Sequence, residues 1–453
     1  MNKLIKPFGA GMNEMHDESL YTNIATSHSS PKNEKELIQI IKSCISSNEK
    51  ITVCGSLTGL VGGAVAHHCH SLSTVNLKAK HYNKESNTVE IESGATFEEL
   101  EKFVLKESKS KREFPISPTE KTATIGGAIS CNSSGLRSYH FGKIENFIES
   151  ITYCNSKGQV EKISKNDDDF QAFIGSEGMM GIIIKAELKT IEKSASAWGI
   201  MFFFKCNDDA SSFVDSAADC KGIQVIEYID KQSFQLCESY KGLITNIEGI
   251  PPIPNGQSCG IYLEIYADTE LKIEEYAEHL MELSMSFNSD PDLTWAMSYD
   301  EMSKLQIYRH AISECINMEV KKYNNIESRI KFINIDIKWN NASRKEILQY
   351  YLNLFKESKL NSYIYGHIGS FNLYVNIVCK TNEEYTEAEA IVQKAYKEAI
   401  NNGNEILFEF GVGKLRNQLY CNIERVEVIN KKMKAKQKYD LKGIFNPMNI
   451  FII

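Results

Sequence analysis

Residues 53–65 read VCGSLTGLVGGAV, and the way this stretch must fold decides the architecture of the chain. The apolar residues 51–54 predict a short strand that ends just before the glycines. Glycine allows sharp turns and a close approach of the backbone to a ligand, and consecutive N–H groups in such turns bind anions. The spacing is not G-x-G-x-x-G and no G-K-[ST] follows, which excludes a Rossmann turn and a Walker loop. The loop therefore predicts a pyrophosphate site of another kind.

Two further glycine-rich segments follow the first. Residues 117–142 read SPTEKTATIGGAISCNSSGLRSYHFG, and residues 174–188 read IGSEGMMGIIIKAEL. Each segment alone is explained by a structural turn, which is the usual role of such loops. Three of them in order, between residues 55 and 181, are harder to explain in that way. We interpret them as parts of one nucleotide site.

Together the three loops resemble those of the FAD-linked oxidases of the vanillyl-alcohol oxidase superfamily, and in kind the D-lactate, D-2-hydroxyglutarate and glycolate dehydrogenases. The family patterns R/Q-G-G-x-T-G-x-x-G-G and G-S-E-G-t-L-G-I-I match the first and third loops. The second loop matches with Phe141 in place of the usual tyrosine. The closing GIFNP at 443–447 is similar to the family's G-I-L-N-P, and the similarity begins at about residue 20.

The resemblance implies FAD as the cofactor. Some relatives attach the flavin covalently through a histidine of the first loop, and Thr58 stands at that position, so non-covalent FAD is expected. The residues that the resemblance assigns to FAD binding are Gly55, Ser56, Leu57, Thr58, Gly59, Gly62, Gly63, Pro118, Thr119, Thr124, Gly126, Gly127, Asn132, Ser133, Gly135, Glu177, Gly178, Gly181, Ile183 and Asn446.

The second half of the chain differs in character from the first, because strands there alternate with long amphipathic helices. Those helices are predicted at 269–286, 342–356 and 382–402. With the resemblance, this pattern predicts an α+β fold with a PCMH-type FAD-binding domain of two α+β subdomains and an antiparallel-sheet cap. The predicted domains are an FAD-binding domain at 1–192, a cap with the substrate site at 193–404 and a C-terminal return segment at 405–453.

The segment YGHIGSFNLY, residues 365–374, stands where relatives carry GH-x-G-D-x-N-L-H. By resemblance, both histidines of that motif and the glutamate of a later E-H-G-I-G bind a divalent metal, and the later histidine accepts the hydroxyl proton. Here His367 is kept but Tyr374 replaces the second ligand, while FEFGVGK keeps Glu409 and puts Phe410 in place of the base. His367 and Glu409 alone are a poor cage for Zn²⁺, which takes three or four protein ligands, so no metal is predicted.

The candidate catalytic residues are Glu409, His367, Tyr374 and Tyr365. The structural alternative is a hydrogen-bonded buried histidine beside tyrosines that only pack on their neighbours. Arg309 and Ser313 stand where relatives hold the substrate carboxylate, and a guanidinium has the right shape for that group. Asn372 is the third predicted substrate-binding residue. For Arg309 the structural alternative is an arginine on a helix surface.

The resemblance implies an FAD-dependent oxidoreductase in which a substrate C–H, that of a 2-hydroxy acid or related alcohol, gives a hydride to flavin N5. The missing base keeps other functions open. One is an oxidase of an amine, sugar or aromatic alcohol that works without a metal. Others are a non-redox enzyme like alkyl-dihydroxyacetone-phosphate synthase, suggested by GVGKLR, or an FAD-binding protein with no catalytic role.

Composition limits the partners and the compartment. The net charge of −8 and the lack of a basic stripe argue against nucleic acid. Twelve cysteines without a C-x-x-C pair, no signal peptide and no long apolar run predict a cytoplasmic protein with reduced thiols. The expected partners are a small-molecule substrate and an electron acceptor, either a quinone, an electron-transfer protein or oxygen, and a homodimer is compatible with the family.

The residues 67–70 read HHCH, which has the composition of a metal site. Neighbouring residues of an extended segment point in opposite directions, so they cannot all bind one ion. A solvated loop is therefore predicted here.

Overall fold

The computed structural model describes residues 6–7, 14–19, 21–244, 249–323 and 333–451. The chain folds into two compact units. The first unit comprises Met1–Gly135, Gly142–Lys193 and Phe408–Ile453, and the second comprises Leu136–Phe141 and Ser194–Leu407. The first unit is thus built from both ends of the chain.

The first unit contains two main sheets. The four-stranded sheet has the order Lys6–Pro7, Ser27–Ser29, His70–Ser73, Ile51–Cys54, with parallel pairing among the last three strands. The five-stranded antiparallel sheet has the order Val160–Ser164, Ile148–Cys154, Ile182–Lys189, Thr88–Glu92, Lys80–Asn83. Two short pairs join Ile191–Glu192 to Arg112–Glu113 and Glu14–His16 to Thr22–Ile24.

The helices of the first unit are Glu34–Ser46, Phe97–Glu107, Ile125–Cys131, Phe170–Phe173, Asn417–Ile423 and Val426–Tyr439. Two of these helices are capped at their N-termini by side chains. The Asn33 side chain accepts the N–H of Glu36, and Thr96 and Glu99 make a full capping box. The strand Ile51–Cys54 pairs with His70–Ser73, and the backbone turns directly after Ser73, with the Leu77 N–H donating to Thr74 O.

The second unit is one eight-stranded antiparallel sheet with helices. Its strand order is Trp295–Met297, Ser196–Phe204, Cys259–Ala267, Ile223–Asp230, Asn361–Gly366, Asn372–Val378, Ile333–Lys338, Glu405–Ile406. Its helices are Ser138–Phe141, Asn207–Ala217, Lys231–Tyr240, Glu270–Met285, Met302–Tyr323, Arg344–Leu354 and Asn382–Asn401. The predicted α+β class with an antiparallel-sheet domain is confirmed.

The segment Leu136–Phe141 belongs to the second unit, although the residues on both sides of it belong to the first. There Arg137 donates its Nε–H to Gln224 Oε1 at 2.8 Å, and its guanidinium lies 4.5 Å from the ring centroid of Tyr266. A glycine-rich loop has no hydrophobic periodicity, so the sequence does not indicate that Leu136–Phe141 packs in the second unit. The domain bounds 1–192, 193–404 and 405–453 stay a prediction.

Candidate active site

The three glycine loops meet in the first unit, although they are far apart in sequence. A Cβ placed on Gly55 would lie 2.3 Å from Thr124 Oγ1, so only glycine fits where the first loop touches the second. The Gly175 N–H donates to Ile129 O at 3.1 Å, which joins the third loop to the second. A Cβ placed on Gly63 would lie 3.8 Å from Glu177 Oε2, which brings the first loop beside the third.

Glu177 fastens the return segment to this meeting point. Its carboxylate accepts the N–H of Val412 at 2.6 Å and of Gly413 at 2.8 Å, and its backbone carbonyl accepts from Asn446 Nδ2. Asn446 Oδ1 in turn accepts the N–H of Val53 at 2.8 Å. Burial raises the pKa of Glu177, although the hydrogen bonds from the Val412 and Gly413 N–H groups act to lower it. Both residues were predicted to hold FAD, and in the structure both hold the loops together.

Several other predicted FAD positions are constrained by backbone packing. A Cβ on Gly135 would lie 2.6 Å from Ser117 O, and one on Gly181 would lie 2.9 Å from the ring of Tyr153. Gly126 and Gly127 open the helix Ile125–Cys131, which Thr124 caps. The rest lie on the same three loops or at their edges, namely Ser56, Leu57, Thr58, Gly59, Gly62, Pro118, Thr119, Ser133, Gly178 and Ile183.

The residues at the meeting point fit FAD. The side-chain oxygen of Asn132 is buried and has no hydrogen-bond partner among the described residues, and such an atom calls for a polar ligand. Asn132 adopts φ 50° and lies beside Gly175, whose added Cβ would be 3.5 Å from the Asn132 Cβ. Leu57, at φ 59°, and Gly62, at φ 71°, give the first loop the left-handed bends that form anion-binding nests.

Lys414 was missed by the sequence analysis. Its ammonium donates to Gly62 O at 3.4 Å, Gly63 O at 3.2 Å and Asn449 Oδ1 at 2.8 Å. Burial lowers the pKa of this amine to about 8. Lys414 thus ties the return segment to the first glycine loop. A lysine beside GVG carries no pattern that distinguishes it from a surface lysine.

In the second unit a buried carboxylate, Glu227, joins two predicted site residues. Glu227 lies on the strand Ile223–Asp230 and is 1% exposed. Its Oε2 accepts from Arg309 Nε at 2.6 Å and Nη2 at 2.5 Å, and its Oε1 bonds to His367 Nδ1. Glu227 was not predicted. The available signal was an acidic residue flanked by apolar residues within the strand IQVIEYID.

Arg309 and His367 keep the Glu227 carboxyl ionised. Burial alone would raise the pKa of the Glu227 carboxyl, but the charges of Arg309 and His367 and their hydrogen bonds outweigh burial and lower it. Arg309 was predicted to bind the substrate carboxylate. One edge of its guanidinium bonds to Glu227, and its predicted substrate role stays a prediction. Arg309 is buried, so it is not an arginine on an exposed helix surface.

Tyrosines surround this ion pair. The Arg309 guanidinium lies 4.7 Å from the ring centroid of Tyr365, whose hydroxyl is 2.8 Å from Ser313 Oγ. Tyr374 packs edge-on against His367, with centroids 5.4 Å apart, and against Tyr365, at 5.8 Å. Burial raises the pKa of Tyr365 despite Arg309, so its phenol is neutral near pH 7 and is a poor proton acceptor.

The turn that carries His367 is held by Arg344. The Arg344 Nε–H donates to Ile368 O at 3.1 Å and Nη2 donates to Gly369 O at 3.0 Å, while Nη1 pairs with Asp215 at 2.5 Å. The Asn372 N–H closes the same turn on His367 O at 3.1 Å. The backbone around His367 is therefore fixed from both sides.

The structure thus brings together Arg309, Ser313, Tyr365, His367 and Tyr374, with Asn372 at the end of the same turn. Glu409 belongs to the first unit. The donors fit a divalent metal poorly, because His367 Nδ1 is engaged by Glu227 and the second ligand position holds a phenol with an ordinary pKa of about 10.

The structure corrects the interpretation of residues 67–70 as a solvated loop. His70 is fully buried in its strand, and its two ring nitrogens bond to Ser27 Oγ and Ser29 Oγ, each at 2.7 Å. Cys44, Glu49 and His70 lie close enough to share an ion. Burial raises the pKa of Cys44 to about 12 and lowers that of His70 to about 4. A protonated thiol is a poor ligand, so we interpret this group as buried hydrogen-bonded side chains.

Comparison with known proteins agrees with this architecture. Residues 29–164 match the FAD binding domain family, and residues 195–450 match the FAD linked oxidases, C-terminal domain. The chain therefore belongs to the FAD-linked oxidases and is an FAD-dependent oxidoreductase. FAD is its cofactor.

Three similar proteins illustrate the relationship. D-lactate dehydrogenase of Anaerostipes hadrus is 25% identical, over 84% of this chain and 79% of that protein. The mitochondrial D-2-hydroxyglutarate dehydrogenase of Arabidopsis thaliana is 24% identical, over 93% of this chain and 74% of that protein. A solved structure of alkyldihydroxyacetonephosphate synthase superposes with a TM-score of 0.68 at 16% identity, over 94% of this chain and 76% of that chain, and shows the fold alone.

Among the helices in the described part of the chain, none combines the length and the apolar character that crossing a bilayer requires.

Proposed function

We propose that the protein is an FAD-linked dehydrogenase of a small or medium 2-hydroxy acid. The relatives named above act, by their names, on D-lactate and D-2-hydroxyglutarate. The observation that carries the proposal is the buried group of Arg309, His367 and Glu227. It offers an imidazole for the hydroxyl proton and a cation for the carboxylate, and the carboxylate is the group that distinguishes a 2-hydroxy acid from a simple alcohol.

The chain's own residues would divide the work as follows. The outer edge of the Arg309 guanidinium faces the substrate carboxylate, because Nε and Nη2 are used by Glu227. Ser313 and Tyr365 supply neutral hydroxyl groups beside it. His367 exchanges the proton of the substrate hydroxyl, a role suited to imidazole near neutral pH. When bound, FAD supplies the acceptor for the hydride.

No step of this proposal uses a metal, because the donor set around His367 does not fit one. Glu409, which lies in the return segment, stays a candidate catalytic residue. The proposed partners are a small-molecule substrate and an acceptor that reoxidises the flavin, either a quinone, an electron-transfer protein or oxygen. A homodimer and a cytoplasmic location also remain proposals.

The test is anaerobic reduction of the bound FAD by a panel of substrates. We expect at least one of D-lactate, D-2-hydroxyglutarate and glycolate to bleach the flavin absorbance, and chelator treatment to leave the rate within about twofold. Metal analysis of the same sample accompanies the assay. If all hydroxy acids leave the flavin oxidised while amines, sugars or aromatic alcohols reduce it, the substrate class is wrong. If no compound reduces it, a non-redox or non-catalytic role is favoured.

A further inference from the structure

We infer that Glu227 is the positioning residue that makes His367 the proton acceptor of this site and that replaces the function of the missing metal and base. This inference rests on the proposed function, since it assigns the proton step of the same reaction. Glu227 does not itself touch the reacting atoms. It acts through the imidazole that its Oε1 holds.

The two carboxylate oxygens of Glu227 have different partners. One oxygen, Oε2, is used by Arg309, and the other, Oε1, by His367. A carboxylate that binds Nδ1 fixes the tautomer of an imidazole, so that Nδ1 carries the hydrogen and Nε2 is the nitrogen that exchanges a proton. The ring orientation is fixed as well, because Arg344 holds the turn that carries His367.

The charge of Glu227 also favours protonation of His367. When His367 takes a proton it becomes an imidazolium, and the adjacent carboxylate stabilises that cation at short range. Arg309 keeps Glu227 ionised, because it lowers the pKa of the carboxyl against the effect of burial. The carboxylate therefore stabilises the cation without taking the proton itself.

Tyrosines and an arginine surround the pair of Glu227 and His367. Tyr365 and Tyr374 lie against Arg309 and His367, and burial raises the pKa of Tyr365. Tyr262 stands opposite Glu227 on the neighbouring strand, and burial raises its pKa too. Among these groups, His367 is the one whose ordinary pKa lies near neutrality.

The balanced step is as follows. The hydroxyl O–H bond of the substrate breaks and its proton forms a bond to His367 Nε2. The C–H bond breaks, its hydrogen leaves with both electrons as a hydride, and the C–O bond becomes a carbonyl. Bound FAD would accept the hydride and thus the two electrons that the substrate loses. The proton on His367 then leaves to solvent, which restores the neutral imidazole.

The experiment compares Glu227→Gln with Glu264→Gln. Glu264 is a matched control, since it is a buried carboxylate on the adjacent strand that accepts from Tyr262 and Tyr266 at 2.6 Å and from Gln306 at 2.8 Å. Flavin reduction by the working hydroxy acid is measured across pH. For Glu227→Gln we expect the rate to fall by about 10²-fold or more and the acid limb of the pH profile to move to lower pH. Glu264→Gln should keep the wild-type limb.

A second measurement does not depend on activity. Histidine-selective NMR, with His367→Gln to assign the resonance, follows the titration of His367, and its midpoint should move to lower pH in Glu227→Gln. If Glu227→Gln does not retain FAD, Glu227→Asp replaces it, and partial retention of the rate is expected. An unchanged acid limb and an unchanged titration midpoint would overturn the inference. Failure of every hydroxy acid with the wild-type protein would instead reject the proposed function, while the NMR result would still judge the coupling of Glu227 to His367.

Discussion

At the scale of single residues, the nucleotide site depends on places where a side chain cannot be accommodated. Gly55 is the clearest case, because the first loop passes directly over the Thr124 side chain. The same scale explains Glu227, whose burial is tolerated only because Arg309 and His367 satisfy both of its oxygens. In each case one neighbour, distant in sequence, decides what the residue can be.

Replacing Gly55 with alanine should weaken FAD binding. The new Cβ would lie 2.3 Å from Thr124 Oγ1, so the first loop must move away from the second, at a cost of about 1–3 kcal/mol. The measurement is the dissociation constant of FAD by fluorescence quenching, expected to rise about tenfold or more. Gly242→Ala is the control, since nothing lies within 4 Å of a Cβ there. Equal affinity in the two variants would contradict the prediction.

Lys414 predicts a specific dependence of stability on pH. Because the pKa of the folded protein's amine is about 8, against an ordinary value of 10.5, the unfolded chain binds more protons between these values. The contribution of Lys414 to the free energy of unfolding therefore increases as pH rises from about 8 to 10. Denaturant unfolding of wild type and Lys414→Met at pH 7.5 and 10 should show a difference of up to ~3 kcal/mol in that gain. An identical pH dependence in both proteins would refute the assignment.

At the scale of elements, the register between the strands Ile223–Asp230 and Asn361–Gly366 positions the residues of the candidate site in the second unit. Pairing sets Gly366 opposite Tyr228, so His367 comes beside Glu227, and the helix Met302–Tyr323 adds Arg309 from outside the sheet. The short turn between the strands ending at Gly366 and starting at Asn372 then fixes the imidazole. This turn has no regular ladder of its own, and it relies on Arg344 for two carbonyl partners.

Replacing Arg344 with methionine should damage the candidate substrate site around His367 and leave FAD binding intact. Two backbone carbonyls lose a buried charged donor, which should lower the free energy of unfolding by about 2 kcal/mol and slow flavin reduction. Lys345→Met is the neighbouring control, because its ion pair with Asp208 is exposed and screened by solvent, so its loss should leave the stability almost unchanged. FAD content is measured in parallel. Loss of FAD with an unchanged reduction rate per flavin would point to a different role.

At the scale of the whole molecule, the chain divides its work between two units. The first holds the converging glycine loops together with the return segment, and the second holds the Glu227 group on its sheet. The first unit needs both ends of the chain, since Asn446 and Lys414 fasten the loops. A cofactor site assembled in this way forms only when the chain is folded.

The whole protein should release its FAD intact on denaturation. Thr58 stands where some relatives carry the covalent histidine, and its hydroxyl is not a nucleophile that forms such a bond unaided. Heat or acid treatment of the yellow protein, followed by filtration, should leave all flavin absorbance in the filtrate. Yellow colour that stays with the precipitated protein would show a covalent link at another residue.

The sequence by itself determined the class of protein. The glycine spacing of the three loops and the GIFNP segment predicted the FAD-linked oxidase fold. The backbone conformation around a nucleotide depends on glycines at particular positions, which can be identified in the sequence. It also predicted that His367, Arg309, Ser313 and the tyrosines would share a site, by resemblance to a family motif. It left open what replaces the missing base.

Only the tertiary structure decided the partners within that site. Glu227 and His367 are separated by 140 residues and meet through strand pairing, so neither segment alone indicates the contact. Glu177, predicted as a cofactor residue, binds the backbone of the return segment from 235 residues away. The physical reason is the same for both. Local sequence sets the conformation of a segment, whereas the partner of a buried charge is chosen by which distant segments the fold brings within hydrogen-bond distance.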